Sequence, residues 1–553
     1  MLNPKLPDPS PARATKRPQE QPTLTVPTGA PRPYSLLWLR ALLWLAWLAL
    51  VLFLASHHVF WRDEVRAFSI ALQGENVGEM LRGLHGEGHP AIWYLLLRGA
   101  HALAGVREVL PAVALAIGAA ATALLAFRAP FRPAALALIL FGGLALFEYV
   151  VSARNYGLSM LLLFTIAALY SRHRDRGVLI GLLLALLCNS NVPANFLAAG
   201  LLGFWLIELV SEEGLRWTRK HSLFAANAAI AAAGAAVCFL TIYPTVHDAA
   251  VTPHPGGISI AAVAQALVSP ATSFPDLGIP DWLPGPANAL LVTALTIAAL
   301  GGLARRPGAL LAGLAVLLVF QLFFQLVYPG GYRHQGLVLM FLVTLYWLVG
   351  EGRGGTWPAA WSPASWLAAA SRVGAIGFAG LLAAQVPEAI SKLAAARVGV
   401  PNSRIAEVAD TLKGQGLAHS IVIADPDVLI EPLPYYSDNP TYLLREQRFG
   451  KVVRFTRNAR LDLRLDDVLD AAAMLARRSG RPVAIILRHR LDPAAPPRIV
   501  PEPYVGSLSM DPAQVRRFLA STRLLASFEP ALTDESYDLY LLDPPPDPAL
   551  PTR

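Results

Sequence analysis

Residues 36–54 read LLWLRALLWLAWLALVLFL, nineteen positions carrying one charge, Arg40. A helix needs about 20 mostly apolar residues to cross a bilayer core, so this stretch is read as a membrane span. A cleaved signal peptide starts nearer the N-terminus, so the span is expected to be retained as the first helix. The residues before it, 1–34, are polar, rich in proline and basic, and hold no apolar core. They are expected to form a disordered cytoplasmic head.

Similar stretches recur at 108–127, 133–150, 156–171, 177–190, 194–211, 222–242, 286–303, 308–328, 335–350 and 366–386, which makes eleven expected spans. The whole chain is 54% hydrophobic and 15% charged, with mean hydropathy +0.46. That composition excludes an ordinary soluble domain. The net charge of +8 does not point to nucleic acid, because the basic residues fall in short gaps between apolar spans. With the head inside, the short inner gaps hold Arg128, Arg132, Arg172, Arg174, Arg176, Arg216, Arg219, Lys220, Arg305, Arg306 and Arg353. The short outer gaps hold only Arg154 and Arg333, the asymmetry that the positive-inside rule demands.

His89 to Gly105 is apolar but short, and it carries Arg98 and His101. Counting it as a span would put the arginine clusters outside, so it is read as an amphipathic helix at the outer interface within a first outer loop, 55–107. An odd number of spans then leaves 387–553 outside the cytoplasm. This tail is charged and broken by prolines, with β-rich runs at Ser420-Ile-Val-Ile-Ala, Pro482-Val-Ala-Ile-Ile-Leu and Tyr537-Asp-Leu-Tyr-Leu-Leu, and helical spacing over 462–478. The expected fold is a polytopic α-helical membrane domain over 35–386 followed by a C-terminal extracytoplasmic α/β domain over 387–553. Cys188 and Cys238 lie in or beside apolar spans without a CxxC or Cys/His pattern, so neither a disulfide framework nor a zinc site is expected.

Polar residues that topology alone does not explain collect at outer helix ends: Asp63, Glu64, Glu87, His89, Glu148, Arg154, Tyr156, Asn189, Asn191, Asn195, Tyr332, Arg333 and His334. Ionisable groups near membrane depth point to function when they face a cavity; the plain alternative is that they are solvated loop residues. A carboxylate at Asp63 or Glu64 can take the proton of an incoming hydroxyl. Pro90 can simply start a helix. Arg154, on the face that disfavours arginine, suits an anionic partner, or it pairs with Glu148. His247, Asp248 and His254 either line a cleft or are solvated residues of the long outer loop 243–285.

In order and topological side, Asp63-Glu64 after the first span, His89-Pro90 at a helix start, the Arg154-Asn-Tyr156 turn and Tyr332-Arg333-His334 opening a late span resemble the GT-C superfamily of integral-membrane glycosyltransferases. That superfamily includes protein O-mannosyltransferases and the aminoarabinose transferase of lipid A. Ala91 departs from it, since a second proline often follows His-Pro there. The resemblance covers about 36–350 and implies a sugar moved from a polyprenyl-phosphate-linked donor to an extracytoplasmic acceptor, with inversion. Carried over by position, Asp63 would be the catalytic base and Glu64 a supporting acid or second candidate. Arg333 and Arg154 would bind the donor phosphate, because a guanidinium fork matches phosphate oxygens. His89, Tyr156, Tyr332, His334 and Glu148 would surround the substrates. No cofactor is expected from an isolated Asp-Glu pair, although some members of the superfamily use a divalent cation. The expected partners are the lipid-linked donor, the acceptor and the bilayer of a bacterial inner membrane, with the site facing outward and no nucleic acid. Two other functions fit a many-span chain. A transporter or flippase would call for mid-membrane polar groups, nearest at Gln321 and Gln325; a membrane-anchored binding protein would act through the tail.

Overall fold

The computed structural model describes residues 34–246, 248–250, 259–261, 263–264, 284–352, 364–502 and 506–544. The expected head up to Pro33, together with His247, His254 and Arg353, lies outside the described residues.

Every stretch read as a span is at least partly helical, but the stretches are not equivalent. Among the described residues, seven helices are long and apolar enough to cross a membrane: Leu36–Ser56, Val109–Arg128, Ala194–Glu213, Arg219–Ile242, Gly285–Arg305, Pro307–Leu326 and Ser365–Val398. Tyr156–His173 and Tyr332–Gly350 have the length but carry polar ends, Ser171-Arg172-His173 and Tyr332-Arg333-His334-Gln335. The other two are cut short. Residues 133–150 form the helix Pro133–Leu140, a turn at Phe141 and Gly142, and a π-helical turn Leu144–Glu148. Residues 177–190 form only Leu179–Cys188, about 15 Å at 1.5 Å per residue. Of the eleven expected spans, seven contain a helix that meets the length and composition of a membrane span among the described residues.

The helices share one apolar core, with Trp47, Phe164, Phe204, Phe320, Phe341 and Trp347 fully buried. Other large apolar side chains face outward, among them Leu42 at 62% and Leu45 at 54% exposure, as a lipid-facing surface requires. At one end of the bundle Glu208 is buried between Arg174 (3.2 Å) and Arg306 (2.5 Å), and Arg174 also binds Glu212. The helix Tyr156–His173 leads from that end to the opposite one, where the polar residues singled out above gather.

The first loop is more structured than its sequence suggests. It contains the helices Arg62–Ala71, Val77–Arg82 and Ile92–Ala104. The last is the expected amphipathic segment, burying Trp93, Tyr94 and Leu97 while Leu103 is 92% exposed.

In the tail, the three β-rich runs become strands of one sheet, in the order Ile421–Asp425, Val483–Leu487, Tyr537–Leu542, Arg523–Phe528. The first two are parallel and joined through the helix Leu465–Ser479, a βαβ crossover; the others are antiparallel. A second sheet pairs Asp462–Arg464, Ser507–Met510 and Arg498–Pro501. The tail is not a separate bead. Val452, Tyr435 and Tyr436 join an apolar cluster with Phe60, Val65, Phe68, Trp93 and Leu110 of the first loop and its flanks. Ala250 N–H donates to the Phe455 carbonyl at 2.7 Å, and Arg457 N–H donates to that of Asp248, also at 2.7 Å.

Candidate active site

The helix Arg62–Ala71 carries the acidic pair. Asp63 and Glu64 sit in its first turn, where the helix dipole favours negative charge. The two carboxylates diverge, as neighbours on a helix do, by about 100°. Glu64 is fully buried and accepts from Ala153 N–H at 2.6 Å, from Trp61 N–H at 3.2 Å and from His58 at 3.0 Å. It ties the helix start to the 152–156 turn and does not line the cleft.

Asp63 faces a cleft of about 1520 Å³, together with Arg62, Arg66 and Ala67. Its Oδ2 accepts from Arg154 and, at 3.0 Å, from Arg333. Arg333 Nε binds Glu148 at 3.0 Å. The Arg154–Glu148 pair considered from sequence is therefore replaced by a crossed arrangement, Arg154 with Asp63 and Glu148 with Arg333. Burial alone would push the Asp63 carboxyl up, but Arg154, Arg333 and Arg62 overcome this and hold it well below the usual carboxylate range.

Local backbone geometry sets the remaining groups. Gly157 lets the 152–156 turn fold onto the bundle, because a Cβ there would stand 2.3 Å from the Tyr149 carbonyl oxygen. Tyr156 then stacks on Tyr149 (5.8 Å between centroids) and meets His334 Nε2 at 2.8 Å through its hydroxyl. His334 Nδ1 accepts from Gly331 N–H at 3.1 Å, so Nε2 carries the proton and donates to Tyr156. The Arg333 guanidinium lies 5.1 Å over the Trp61 ring and that of Arg154 5.8 Å over Tyr156.

Gly86 and Gly88, both at positive φ, shape the turn that delivers Glu87 and His89. His89 Nδ1–H donates to the Glu87 carbonyl and Nε2 accepts from Arg154, both at 3.3 Å. That pattern needs a neutral ring. Burial and the adjacent Arg154 push His89 down to about 4, which keeps it neutral at physiological pH.

Of the residues singled out from sequence, Asp63, Glu87, His89, Arg154, Tyr156, Arg333 and His334 line the cleft. Glu148 reaches it through Arg333, while Tyr332 points away and donates to Gln385 Oε1 at 2.7 Å. Asn191 lines the cleft, but Asn189 donates to the Gly234 carbonyl inside the helix Arg219–Ile242 and Asn195 to the Cys188 carbonyl at the end of Leu179–Cys188. Asp248 lines it too, while its side chain binds Thr456 of the tail. Sequence reading missed the far wall, which comes from the tail: Glu431, Arg448, Val452, Val453, Arg454 and Phe455. Glu431 forms a buried ion pair with Arg66, which also pairs with Glu87. Among the described residues, no group of three or more His, Cys, Asp or Glu gathers to hold a metal ion. Cys188 and Cys238 are both buried and unpaired in any disulfide.

Two guanidiniums from different helix ends that share an ionised carboxylate, in a cleft between a helix bundle and an α/β domain, can grip an anion, and the carboxylate can accept a proton. No protein-family model matches the chain, and no curated protein matches it in sequence. Among solved structures, the crystal structure of ArnT from Cupriavidus metallidurans bound to undecaprenyl phosphate is similar to it, at 12% identity and TM-score 0.46, covering 92% of this chain and 97% of that one.

Proposed function

We propose that the chain is a membrane glycosyltransferase that moves a sugar from a polyprenyl-phosphate-linked donor to an acceptor entering the cleft from the aqueous side. The observation that carries the reading is the sharing of Asp63 by Arg154 and Arg333 inside the cleft. In this reading the donor phosphate binds the N–H groups that the two guanidiniums do not spend on Asp63 and Glu148. The negative charge of the bound donor phosphate offsets the two arginines and restores basicity to Asp63, which takes the proton of the acceptor nucleophile as the new bond forms at the anomeric carbon with inversion and the sugar–phosphate bond breaks. The two arginines balance the charge left on the lipid phosphate. Glu64 is assigned a positioning role, because its oxygens are already committed. Neutral His89 orients Arg154, and Tyr156 with His334 shapes the sugar pocket. No cofactor is part of the proposal.

The proposal includes the topology read from the arginine distribution: the Arg174 and Arg306 end in the cytoplasm, and the cleft and the tail outside, at a bacterial inner membrane. Comparison of lipid-linked sugars and surface glycans in host cells with and without the protein tests the reading. Deletion should cause one lipid-linked sugar to accumulate and one sugar-modified acceptor to disappear. Unchanged pools of both would remove the transferase reading.

A further inference from the structure

The tail does more than cap the cleft. Of the three residues that precede Asp63 in the chain, Trp61 lies under Arg333 of the membrane domain, while Phe60 and Arg62 are bound by the tail. Phe60 N–H donates to the Tyr436 hydroxyl at 2.7 Å. Arg62 N–H donates to Glu535 Oε1 at 3.0 Å, and the Arg62 guanidinium binds Asp534 at 2.7 Å and Glu535 at 3.3 Å. Glu535 is fully buried and is itself fixed by the Tyr537 hydroxyl at 3.0 Å. One turn after Asp63, Arg66 is gripped by Glu431 of the tail, whose carboxylate also accepts Val453 N–H at 2.8 Å. Asp63 thus lies between two arginines of its own helix that are both anchored in the tail.

We infer that the C-terminal domain is a positioning element of the active site: Glu535, with Asp534, and Glu431 set the place of the helix Arg62–Ala71 and thereby of the Asp63 carboxylate. The inference rests on the assignment of Asp63 as the base. Glu535 does not line the cleft, and both its oxygens are taken, Oε1 by Arg62 and Oε2 by the Tyr537 hydroxyl, so it orients rather than reacts. The site needs such orientation, because a displacement of about 1 Å at a reacting group can cost on the order of 100-fold in rate. Burial outweighs the attraction of Arg62 and Arg66 and pushes the Glu535 and Glu431 carboxyls up to about 7.

The test uses the full-length protein with Glu535→Gln, Asp63→Asn and both changes together. Two quantities are read: transfer to the acceptor in a deletion host, and binding of undecaprenyl phosphate by the purified protein. Glu535→Gln alone should lower transfer by about 10- to 100-fold, as a small misplacement would, and leave undecaprenyl phosphate binding within about twofold. In the Asp63→Asn background, the same change should cost little more, because no base is left to misplace. Full multiplication of the two losses would assign Glu535 to general stability and overturn the inference. So would wild-type transfer by Glu535→Gln. If instead Asp63→Asn alone keeps wild-type transfer, the base assignment itself falls, a result distinct from either. Glu431→Gln repeats the cycle at the second anchor, so a folding failure of one variant does not end the test.

Discussion

Arg333→Lys separates the role of charge from that of shape. The guanidinium spans two carboxylates, with Nη1 on Asp63 and Nε on Glu148, both at 3.0 Å. A lysine ammonium is a single point that cannot hold both and still meet a phosphate in a fork. Loss of one charge-assisted hydrogen bond costs about 1.5–3 kcal/mol. At about 1.4 kcal/mol per factor of ten, donor phosphate affinity should fall about 10- to 150-fold. The charge that offsets Glu148 and Asp63 is kept, so the fold should survive. Arg333→Ala would instead leave two largely buried carboxylates with one fewer partner, a loss of about 3–5 kcal/mol when a buried pair is broken. The assay is titration of undecaprenyl phosphate into the protein in nanodiscs, with melting followed in parallel. Binding by folded Arg333→Lys as tight as wild type would refute the assignment of Arg333 to the phosphate.

Glu64→Gln should mainly reduce stability, by about 1–3 kcal/mol for a buried acceptor set left partly unmade, with a smaller effect on transfer than Asp63→Asn; the melting temperature of the purified variant checks it. Glu535 is pushed up from its ordinary 4.5 to about 7, so the folded protein holds its proton more tightly than the unfolded chain. Its contribution to stability should therefore fall as pH rises from about 4.5 to about 7, and the stability gap between wild type and Glu535→Gln should narrow or reverse over that window; a gap independent of pH would contradict the shift. Membrane-impermeant labelling in intact cells should modify Lys413→Cys and spare Arg216→Cys, both at exposed positions, while buried Cys188 and Cys238 stay silent. The opposite pattern would invert the topology.

Much of the site was legible because it breaks a rule. Arginine is disfavoured on the outer face, so Arg154 and Arg333 stood out, and both converge on Asp63. What sequence could not tell was which of two adjacent carboxylates faces the cleft, since helix phase decides it and the helix Arg62–Ala71 lay in a loop by composition. Glu64 is the buried one because the 152–156 turn offers it Ala153 N–H. Nor was the tail's share readable. Arg66 meets Glu431 across 365 positions of chain, and such a pair leaves no local pattern. The strands at 421–425, 483–487 and 537–542 were readable because buried β-branched runs bounded by breakers have few other uses. The span count was less so: hydropathy sees the apolar run 133–150 but not the break at Phe141–Gly142, where the chain turns into the π-helical segment.

The central claim concerns one carboxylate, and single-turnover transfer tests it most directly. Purified wild type and Asp63→Asn, in nanodiscs, are given the lipid-linked sugar that accumulates in deletion cells, together with acceptor-containing membranes from those cells. Wild type should transfer the sugar and release the lipid phosphate. Asp63→Asn should be slower by about 100- to 10,000-fold, the usual contribution of a general base, while binding undecaprenyl phosphate at least as tightly, because Arg154 and Arg333 no longer share a carboxylate with it. Transfer by Asp63→Asn at the wild-type rate would contradict the assignment.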